Sequence, residues 1–419
     1  MKQTHYLIVG ASHAALAALH AIRLVDADHD LTVVGKDDNL PYSPTVLPYI
    51  VSGRADAGGI FLRDGDYFRR HGVNYRPGSE LTGIAPERNL ARLAHGEEVT
   101  YAKLLLATGA TPVLPAIDGL QDVPFHVLRT LDDALKLRQA LPAARQAVVL
   151  GAGLIGMHAA ENFAEAGAGV TVVEMQPEVL PGYFDAEAGA LIREAFGSGG
   201  VRILTGRRVV HARREGAGCV LTLSGGDELA ADLLLIGTGV RPVTDYLQGA
   251  GIEQDRGVLV DDSMRTNVAN IWAAGDVAQA RGFYDGERII NGILPDAVEQ
   301  GRIAGQAMAG DAALKPYAGG VPLNTYNFFG QTALSVGVDR LPEGATCEAI
   351  KQIDQGRGRY LKIVLADNRL VGIFGVNMPF DAGIMWELIL RRVDLSPVRA
   401  RFIERPQETA RLLMSKTWR

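Results

Sequence analysis

The sequence predicts an α/β protein with two doubly wound dinucleotide-binding domains, one inserted in the other, followed by a smaller C-terminal α+β domain. Two glycine-rich loops carry this prediction, one near Gly10 and one near Gly151, and each directly follows an apolar strand. One such loop alone is weak evidence, because short glycine patterns arise by chance. The composition agrees, since 47% hydrophobic and only 6% aromatic residues fit an α/β protein better than a β-sandwich.

The first loop opens a strand–helix–strand unit, with strands predicted at residues 6–10 and 31–35 and a helix at 14–24. In such a unit the pyrophosphate of a dinucleotide binds at the helix N-terminus. The glycine pattern is degraded here, because Ser12 and Ala15 occupy its second and third glycine positions. The acidic residue expected after the second strand is displaced as well, since Lys36 precedes Asp37.

The second loop matches the GxGxxG pattern completely, and the strand predicted at residues 169–173 ends in Glu174. A carboxylate at this point can accept both ribose hydroxyls of NAD and would repel the 2′-phosphate of NADP. Residues 175–177 supply no arginine for that phosphate, so the sequence predicts a preference for NADH. The predicted NAD-binding residues are Gly151, Gly153, Leu154, Ile155, Gly156, Glu174 and Gly239.

Two further segments, 104–112 and 266–276, resemble the paired flavin signatures of the pyridine nucleotide–disulfide oxidoreductase superfamily. The resemblance implies FAD and gives Asp276 the role of binding the ribityl chain, for which a carboxylate offers several acceptor sites. It also implies that the N-terminus of the helix near Leu294, Pro295 and Asp296 faces the flavin ring. The predicted FAD-binding residues are Gly10, Ser12, Ala15, Lys36, Asp37, Pro44, Leu81, Ala107, Thr108, Gly109, Gly275, Asp276 and Pro295.

The same resemblance implies the order of the domains. We expect a flavin domain at residues 1–116 and 245–321, a nicotinamide domain inserted at 117–244, and a C-terminal interface domain at 322–419. In the last of these, the pattern predicts strands at 360–365 and 370–376 and a helix that contains residues 385–392.

The redox groups of the better-known relatives are missing. The chain has no cysteine before Cys219, and Thr45 stands where single-cysteine relatives carry their redox thiol. A hydroxyl cannot cycle through a sulfenic acid, so disulfide and peroxide chemistry are disfavoured. Tyr49 and His158 stand where the ferredoxin reductases place a lysine and a glutamate, and with Thr45 they form the predicted catalytic set. For His158, simple packing within its helix is at least an equal interpretation.

A flavin without a resident second redox group can pass electrons to an external centre. We therefore predict an FAD-dependent NADH:acceptor oxidoreductase whose partner is an iron–sulfur protein or subunit, as in a 2-oxoacid:acceptor complex. One alternative is an NADH oxidase or the flavin module of a nitrite reductase. A second alternative is an NADH-sensing flavoprotein scaffold.

The charge is uneven along the chain. The formal net charge is −6, yet residues 391–419 carry eight basic residues against three acidic ones. This segment is either a solvated helix face or a docking patch for an acidic partner in a hetero-complex or homodimer. The acidic remainder makes nucleic acid an improbable partner.

The remaining composition bears on the compartment. Two cysteines without a CxxC pattern fit a reducing cytoplasm and form no metal site unaided. A first strand that begins by about His5 leaves no room for a cleavable signal peptide. No apolar run is long enough to predict a membrane-spanning helix. The cytoplasm is therefore the predicted location.

Overall fold

The computed structural model of the chain describes residues 2–341 and 346–417, with side chains described up to residue 415. The chain forms two compact units. The first consists of Met1–Ser43, Gly58–Thr111 and Val240–Gly320, and the second of Pro44–Ala57, Pro112–Gly239 and Val321–Arg419. The segment expected as the first flavin part, residues 1–116, thus includes a stretch that clusters with the second unit. Of the residues expected to form the nicotinamide domain, 117–239 belong to the second unit together with the expected C-terminal domain, whereas 240–244 belong to the first unit.

The described residues contain 24 strands. In chain order they are β1 Lys2–Val9, β2 Leu31–Val34, β3 Val73–Arg76, β4 Leu81–Ala85, β5 Leu90–Leu93, β6 Glu98–Leu106, β7 Ala110–Pro112, β8 Gln146–Leu150, β9 Gly169–Val173, β10 Val201–Leu204, β11 Val209–Glu215, β12 Gly218–Leu223, β13 Glu228–Ala231, β14 Leu233–Ile236, β15 Val240–Pro242, β16 Val258–Leu259, β17 Ile271–Ala273, β18 Ala278–Arg281, β19 Arg288–Ile289, β20 Leu323–Phe328, β21 Gln331–Gly337, β22 Glu348–Asp354, β23 Arg359–Ala366 and β24 Arg369–Val376.

The same residues contain ten α-helices. They are α1 His13–Val25, α2 Leu47–Val51, α3 Gly65–Arg70, α4 Leu131–Ala140, α5 Leu154–Glu165, α6 Ala186–Ser198, α7 Leu294–Ala309, α8 Ala382–Leu390, α9 Arg399–Glu404 and α10 Pro406–Thr417. None of these described helices is both long and apolar enough to cross a membrane.

The first unit is built on a seven-stranded sheet with the order β3-β2-β1-β6-β5-β4, in which β17 also pairs with β6. The pairs from β3 to β6 and the β6–β17 pair are parallel. Parallel strands covered on both faces read as continuous apolar runs, and Leu7 and Ile8 of β1 are accordingly fully buried. The carboxyl ends of β1, β2 and β6 lie side by side, which is where a doubly wound sheet binds its ligand.

The second unit contains a four-stranded parallel sheet with the order β10-β9-β8-β14 and a three-stranded antiparallel sheet formed by β11 to β13. Its C-terminal part is a five-stranded antiparallel sheet with the order β20-β21-β24-β23-β22. The α/β class with two doubly wound sheets and a further α+β part is therefore confirmed.

Most predicted elements are present, and α8 differs from the prediction at its C-terminal end. The helix predicted to contain residues 385–392 spans Ala382–Leu390, and the side chain of Asp381 caps its N-terminus by accepting from the Ile384 amide at 3.0 Å. It ends before Arg392, whose φ of 48° lies in the left-handed region.

Candidate functional site

The first glycine-rich loop turns at Gly10, where β1 ends. Its φ is +114°, and a β-carbon here would lie closer than 3.0 Å to the carbonyl oxygen of Ala107. The Ala107 amide in turn donates to the carbonyl of Val9 at 2.7 Å. Only glycine can bring the loop this close to the end of β6. The structure therefore brings together two residues of the predicted FAD set, from β1 and β6.

The loop leads into α1, whose N-terminus has free backbone donors. Ser12 is the residue before the helix, and its side chain makes no capping hydrogen bond. The first amides of a helix without a side-chain cap are available to an anion such as a pyrophosphate. Ala15 is buried in the core of the unit, so the third glycine position is filled by a methyl group that packs.

The turn that contains Asp276 lies against this helix N-terminus. A β-carbon at Gly275, whose φ is +80°, would lie 3.2 Å from the β-carbon of Ala14. The Gly275 amide donates to the side-chain oxygen of Gln300 on α7 at 2.9 Å. Glycine at residue 301 lets the same helix approach α1, since a β-carbon there would overlap the backbone of Ala14. Helix packing therefore fixes Asp276 beside the first loop.

The remaining predicted FAD residues of this unit lie at the ends of neighbouring strands. Asp37 accepts from the phenol of Tyr42 at 3.0 Å, and Lys36 pairs with Glu80 at 2.8 Å on the surface. Leu81 begins β4 and is buried in the hydrophobic core.

The Thr108–Gly109 turn is held by side-chain hydrogen bonds. The Thr108 hydroxyl lies 2.9 Å from the phenol oxygen of Tyr246 and 3.1 Å from the carbonyl oxygen of Val243. Gly109 has a φ of +70°. Farther along the chain, Pro295 stands in the first turn of α7. The structure thus accounts for the shape of this turn, while direct contact of these residues with FAD stays a prediction.

Sequence reasoning missed His13 and Ser43 in this unit. The imidazole of His13, the first residue of α1, lies 2.9 Å from the Ser43 hydroxyl, which is itself buried. Burial lowers the pKa of His13, and the nearby charge of Arg63 lowers it further while Asp276 opposes the shift. Both residues stand inside motifs that the sequence singles out, but a pair 30 residues apart leaves no local signal.

The second glycine-rich loop, in the other unit, depends on two close contacts between glycine residues. A β-carbon at Gly156 would overlap the carbonyl of Gly151, and one at Gly151 would overlap the carbonyl of Gly237. Gly153, by contrast, faces open space, with nothing within 4 Å of an added β-carbon. The loop therefore has room for a phosphate beside Gly153 and no room for a side chain at Gly151 or Gly156.

Glu174 closes the far side of this loop. One carboxylate oxygen accepts from the Ala152 amide at 2.7 Å, and the other accepts from the Gln176 amide at 2.8 Å. These bonds hold the carboxylate against the loop, where ribose hydroxyls would meet it. Leu154 and Ile155 begin α5, and Gly239, with a φ of +113°, also faces open space. The donor and acceptor groups present fit NAD.

The three predicted catalytic residues all belong to the second unit. His158 lies on α5, Tyr49 on α2, and Thr45 in the short turn before α2. The two helices are tied together by the side-chain amide of Asn162, which donates to the Pro48 carbonyl at 2.8 Å. Tyr49 and Thr45 are exposed. All three residues therefore lie on or next to α2 and α5, within the second unit.

His158 has the environment of a packed helix residue. Its Nδ1–H donates to the carbonyl of Leu154 at 3.0 Å, and its ring packs edge-on against Tyr326 with ring centres 4.5 Å apart. Burial lowers its pKa. Nearby, the buried carboxylate of Glu161 accepts from the Phe329 amide at 2.6 Å. Burial raises the pKa of Glu161, and nothing in the sequence pointed to this residue.

The comparisons with known proteins agree with this geometry. The family model described as pyridine nucleotide-disulphide oxidoreductase matches residues 4–303. The chain is 56% identical over 420 residues to the NADH-dependent phenylglyoxylate dehydrogenase subunit epsilon of Aromatoleum evansii, which covers 100% of this chain and 99% of that protein.

Further similarity is to reductases named for ferredoxin. The chain is 29% identical over 319 residues to the 3-phenylpropionate/cinnamic acid dioxygenase ferredoxin–NAD(+) reductase component of Photorhabdus laumondii subsp. laumondii, over 76% of this chain and 81% of that protein. Among solved structures, the ferredoxin reductase for the CYP199A2 system of Rhodopseudomonas palustris matches with a TM-score of 0.81 and 27% identity, over 89% of this chain and 91% of that one. The chain belongs to the pyridine nucleotide-disulphide oxidoreductase family and is an oxidoreductase that uses FAD and NAD(H).

Proposed function

We propose that the chain is the flavoprotein subunit of a 2-oxoacid dehydrogenase complex of the phenylglyoxylate type, moving electrons between NAD(H) and an iron–sulfur protein or subunit. The observation that carries the proposal is the 56% identity to a phenylglyoxylate dehydrogenase subunit over nearly the whole of both chains. The similarity to ferredoxin reductases supports an iron–sulfur partner.

In this proposal the first unit binds FAD and the second binds NAD(H). The Gly10 loop and the N-terminus of α1 receive the FAD pyrophosphate, and Asp276 accepts from the ribityl hydroxyls. The Gly151 loop receives the NAD pyrophosphate, and Glu174 accepts from the adenosine ribose. The chemistry that bound FAD supplies is acceptance of two electrons as a hydride and their release one at a time.

The side chains around the predicted catalytic set support an external electron acceptor. Thr45 offers a hydroxyl in place of a thiol, and a hydroxyl stores no electrons. The two cysteines lie elsewhere in the second unit, with Cys219 buried in β12 and Cys347 just before β22. Burial raises the pKa of the Cys219 thiol, which keeps it protonated and unreactive. Neither cysteine belongs to the α2–α5 region that carries Thr45, Tyr49 and His158.

The direction of electron flow follows from the partner. Ferredoxin-type clusters often have reduction potentials of about −400 mV, which is low enough to reduce NAD⁺. We therefore propose that electrons released by 2-oxoacid oxidation run from the iron–sulfur partner to NAD⁺. In this direction Glu174 would hold NAD⁺ for reduction. The cytoplasm is the compartment we propose for the complex.

The basic C-terminal segment is a weaker argument for the partner. Several of its arginines are neutralised within the chain: Arg391 pairs with Glu387 and Arg399 with Glu348. Arg401 and Arg411 are exposed and remain available to an acidic surface. Lys416 and Arg419, which also belong to the predicted basic segment, lie outside the described side chains. The segment therefore retains less free charge than its sequence indicates.

The experiment that tests the proposal is purification of the tagged chain from its native host under anoxic conditions. We expect iron–sulfur subunits to copurify, and we expect the assembly to reduce NAD⁺ when phenylglyoxylate is added as the electron donor. The matched control is the Glu174→Ala variant, whose assembly should keep its iron content and reduce NAD⁺ more slowly at low NAD⁺ concentration. Iron content and subunit masses are measured on the same preparation.

The alternatives give different results. A solitary flavoprotein that consumes oxygen with NADH as fast as it reduces an artificial dye would be an NADH oxidase, and the proposal would be wrong. A protein whose flavin is reduced slowly and whose oligomeric state changes with NADH would instead be a sensor. A nitrite reductase module would copurify with nitrite-reducing activity.

A further inference from the structure

A buried carboxyl in the first turn of α7 has no part in the roles assigned above. Asp296 is only 2% exposed, and one of its carboxyl oxygens accepts from the side-chain amide of Asn291. Gly320 lies directly over this pair, since a β-carbon there would be 2.6 Å from the Asp296 oxygen and 2.8 Å from the Asn291 nitrogen. The backbone thus closes over an ionisable group that most proteins leave in water.

A chain of hydrogen bonds links this carboxyl to the FAD-binding turn. The Tyr317 phenol hydrogen-bonds to Asp296 and receives a bond from the Gln300 side-chain amide at 3.3 Å. The oxygen of the same Gln300 accepts from the Gly275 amide at 2.9 Å, directly before Asp276. Two side chains therefore separate the buried carboxyl from the turn that carries the predicted ribityl ligand.

A second path runs through the segment that precedes α7. A β-carbon at Gly292 would lie 3.6 Å from a carboxylate oxygen of Asp276. Gly292 directly follows Asn291, the amide donor to Asp296. The Asp276 carboxylate and the Asp296 carboxyl therefore border the same short segment from two sides.

The surroundings of Asp296 favour its protonated form. Burial raises its pKa to about 7, the charge of Glu299 on the same helix adds to the rise, and the bonds from Asn291 and Tyr317 oppose it. The pKa of Tyr317 is itself raised by burial and by the Asp296 charge, so the phenol stays protonated as a donor. Glu299 is paired with Arg302 at 2.6 Å.

The elements packed on α7 bring few other charges to this point. Helix α1 carries His13, His20 and Arg23, and β17 carries no ionisable side chain. Since Gly301 packs on Ala14 and Gly305 on Ala18, His13 is the α1 group nearest this end of α7. The charges of Arg63 and Asp276 influence His13.

We propose that Asp296 is the proton-holding residue of the FAD site: its carboxylate takes up one proton from water when the site gains negative charge on reduction, and the resulting carboxylic acid returns that proton on reoxidation. The electrons come from NADH or from the external partner, and only a proton moves at Asp296. Negative charge added near a carboxylate favours its protonated form. The inference rests on FAD binding in the first unit and deepens the proposed function, because it makes the balance between NAD(H) and the acceptor depend on pH.

The test is redox-difference infrared spectroscopy of the FAD-loaded protein, with electrons supplied by an electrode and no partner present. We expect reduction near pH 7 to produce a carboxylic acid C=O band that is absent from the Asp296→Asn variant. The matched control is Glu287→Gln, which removes an exposed carboxylate from the same unit and should retain the band. Proton uptake per two electrons, measured on the same samples, should be larger in the wild type than in Asp296→Asn by up to one proton.

A second variant keeps the inference testable if Asp296→Asn loses FAD. Tyr317→Phe removes a donor to the carboxylate, so the pH at which the extra proton uptake disappears should shift upwards. An unchanged pH dependence in Tyr317→Phe, or persistence of the band in Asp296→Asn, would overturn the inference. These results are independent of the partner: a chain that binds FAD and shows the band without reducing any iron–sulfur protein would contradict only the proposed function.

Discussion

The two glycine-rich loops perform the same task with glycines in different places. Around the second loop, Gly156 lets α5 press against the carbonyl of Gly151. Around the first, the same position is Ala15, which packs in the core. The close backbone approach occurs instead between helices, where Gly301 and Gly305 of α7 meet the backbone of α1. What the loops share is one positive-φ glycine at the end of the strand, Gly10 or Gly151.

The difference shows why the first motif is degraded without being lost. A glycine is required wherever backbone meets backbone, and that place depends on which helix is packed most closely. In the first unit α7 fixes the Gly275–Asp276 turn through Gln300, so part of the proposed FAD site is held by a helix that lies farther along the chain. The second loop is nearly complete within residues 151–174. We therefore expect the first site to depend on distant residues more strongly than the second does.

The largest effect should come from Asp276→Ala. Since the first loop lacks two glycines of the pattern, the bonds from the carboxylate to the ribityl chain should be needed to retain FAD. We expect the purified variant to contain little or no flavin, as measured by its visible absorbance relative to protein. Glu287→Ala, which removes an exposed acid of the same unit, should retain flavin fully. Full flavin content in Asp276→Ala would refute the role assigned to it.

The second-largest effect should distinguish the residues at the third glycine position of the two loops, Gly156 and Ala15. Gly156→Ala places a methyl group against the Gly151 carbonyl, and overpacking of this kind costs about 1–3 kcal/mol or more. The reciprocal change, Ala15→Gly, removes a methyl from a helix and should cost about 1 kcal/mol. Urea unfolding measures both, and NADH binding should weaken only in Gly156→Ala. Equal costs for the two variants would contradict the packing difference described above.

Cofactor preference tests the carboxylate of the second loop. Glu174→Ala with Met175→Arg removes an acceptor for ribose hydroxyls and adds a cation for the 2′-phosphate at a residue that is 66% exposed. A hydrogen bond to a charged group contributes about 1.5–3 kcal/mol. We therefore expect the ratio of kcat/KM for NADPH to that for NADH to rise roughly ten- to hundredfold. Met175→Arg alone is the control. If the NADPH/NADH ratio of kcat/KM is unchanged in the double variant, Glu174 does not determine the preference between the two nucleotides.

A serine exchanged between the loops sharpens the comparison further. Gly153→Ser copies the first loop into the second, and the open space there predicts no loss of stability on urea unfolding. NADH affinity should fall about tenfold, or 1.4 kcal/mol, because the side chain occupies the approach to the phosphate. The reciprocal Ser12→Gly should leave FAD content unchanged or raise it. If Gly153→Ser binds NADH normally, a serine at this position does not hinder dinucleotide binding, and the same would hold for Ser12 in the first loop.

The smallest effect is the contribution of His13 to the pH dependence of stability. Burial lowers the pKa of His13 below its ordinary value of 6.5, so the folded state prefers the neutral imidazole. Above pH 6.5, His13 therefore does not reduce the free energy of unfolding. As the pH falls through 6.5, His13 increasingly lowers the free energy of unfolding, and this loss is complete below the pKa of His13 in the folded state. The Tm of the His13→Gln variant should therefore fall less on acidification than the Tm of the wild type. His20→Gln, which changes an exposed residue of the same helix, should behave like the wild type.

Local sequence patterns were sufficient to predict most of the strands and helices and both glycine-rich loops. The strand predicted at residues 169–173 is β9, and the helix predicted at 14–24 is α1, extended by one residue at each end. The C-terminal boundary predicted for α8 was wrong, because the helix ends at Leu390 and the backbone of Arg392 is in the left-handed region. Composition and pattern could not place Pro44–Ala57, whose contacts assign it to the second unit.

The sequence by itself determined that this chain is an α/β protein with two dinucleotide loops, since strand and helix periodicity and glycine spacing are local properties. Glu174 follows its loop closely enough to be recognised in the same way. Only the tertiary structure decided the pairing of His13 with Ser43, the bond between Glu161 and Phe329, and the burial of Asp296 beneath Gly320. These contacts join residues far apart in the chain, and burial, which sets the protonation of Asp296, exists only once the chain has packed.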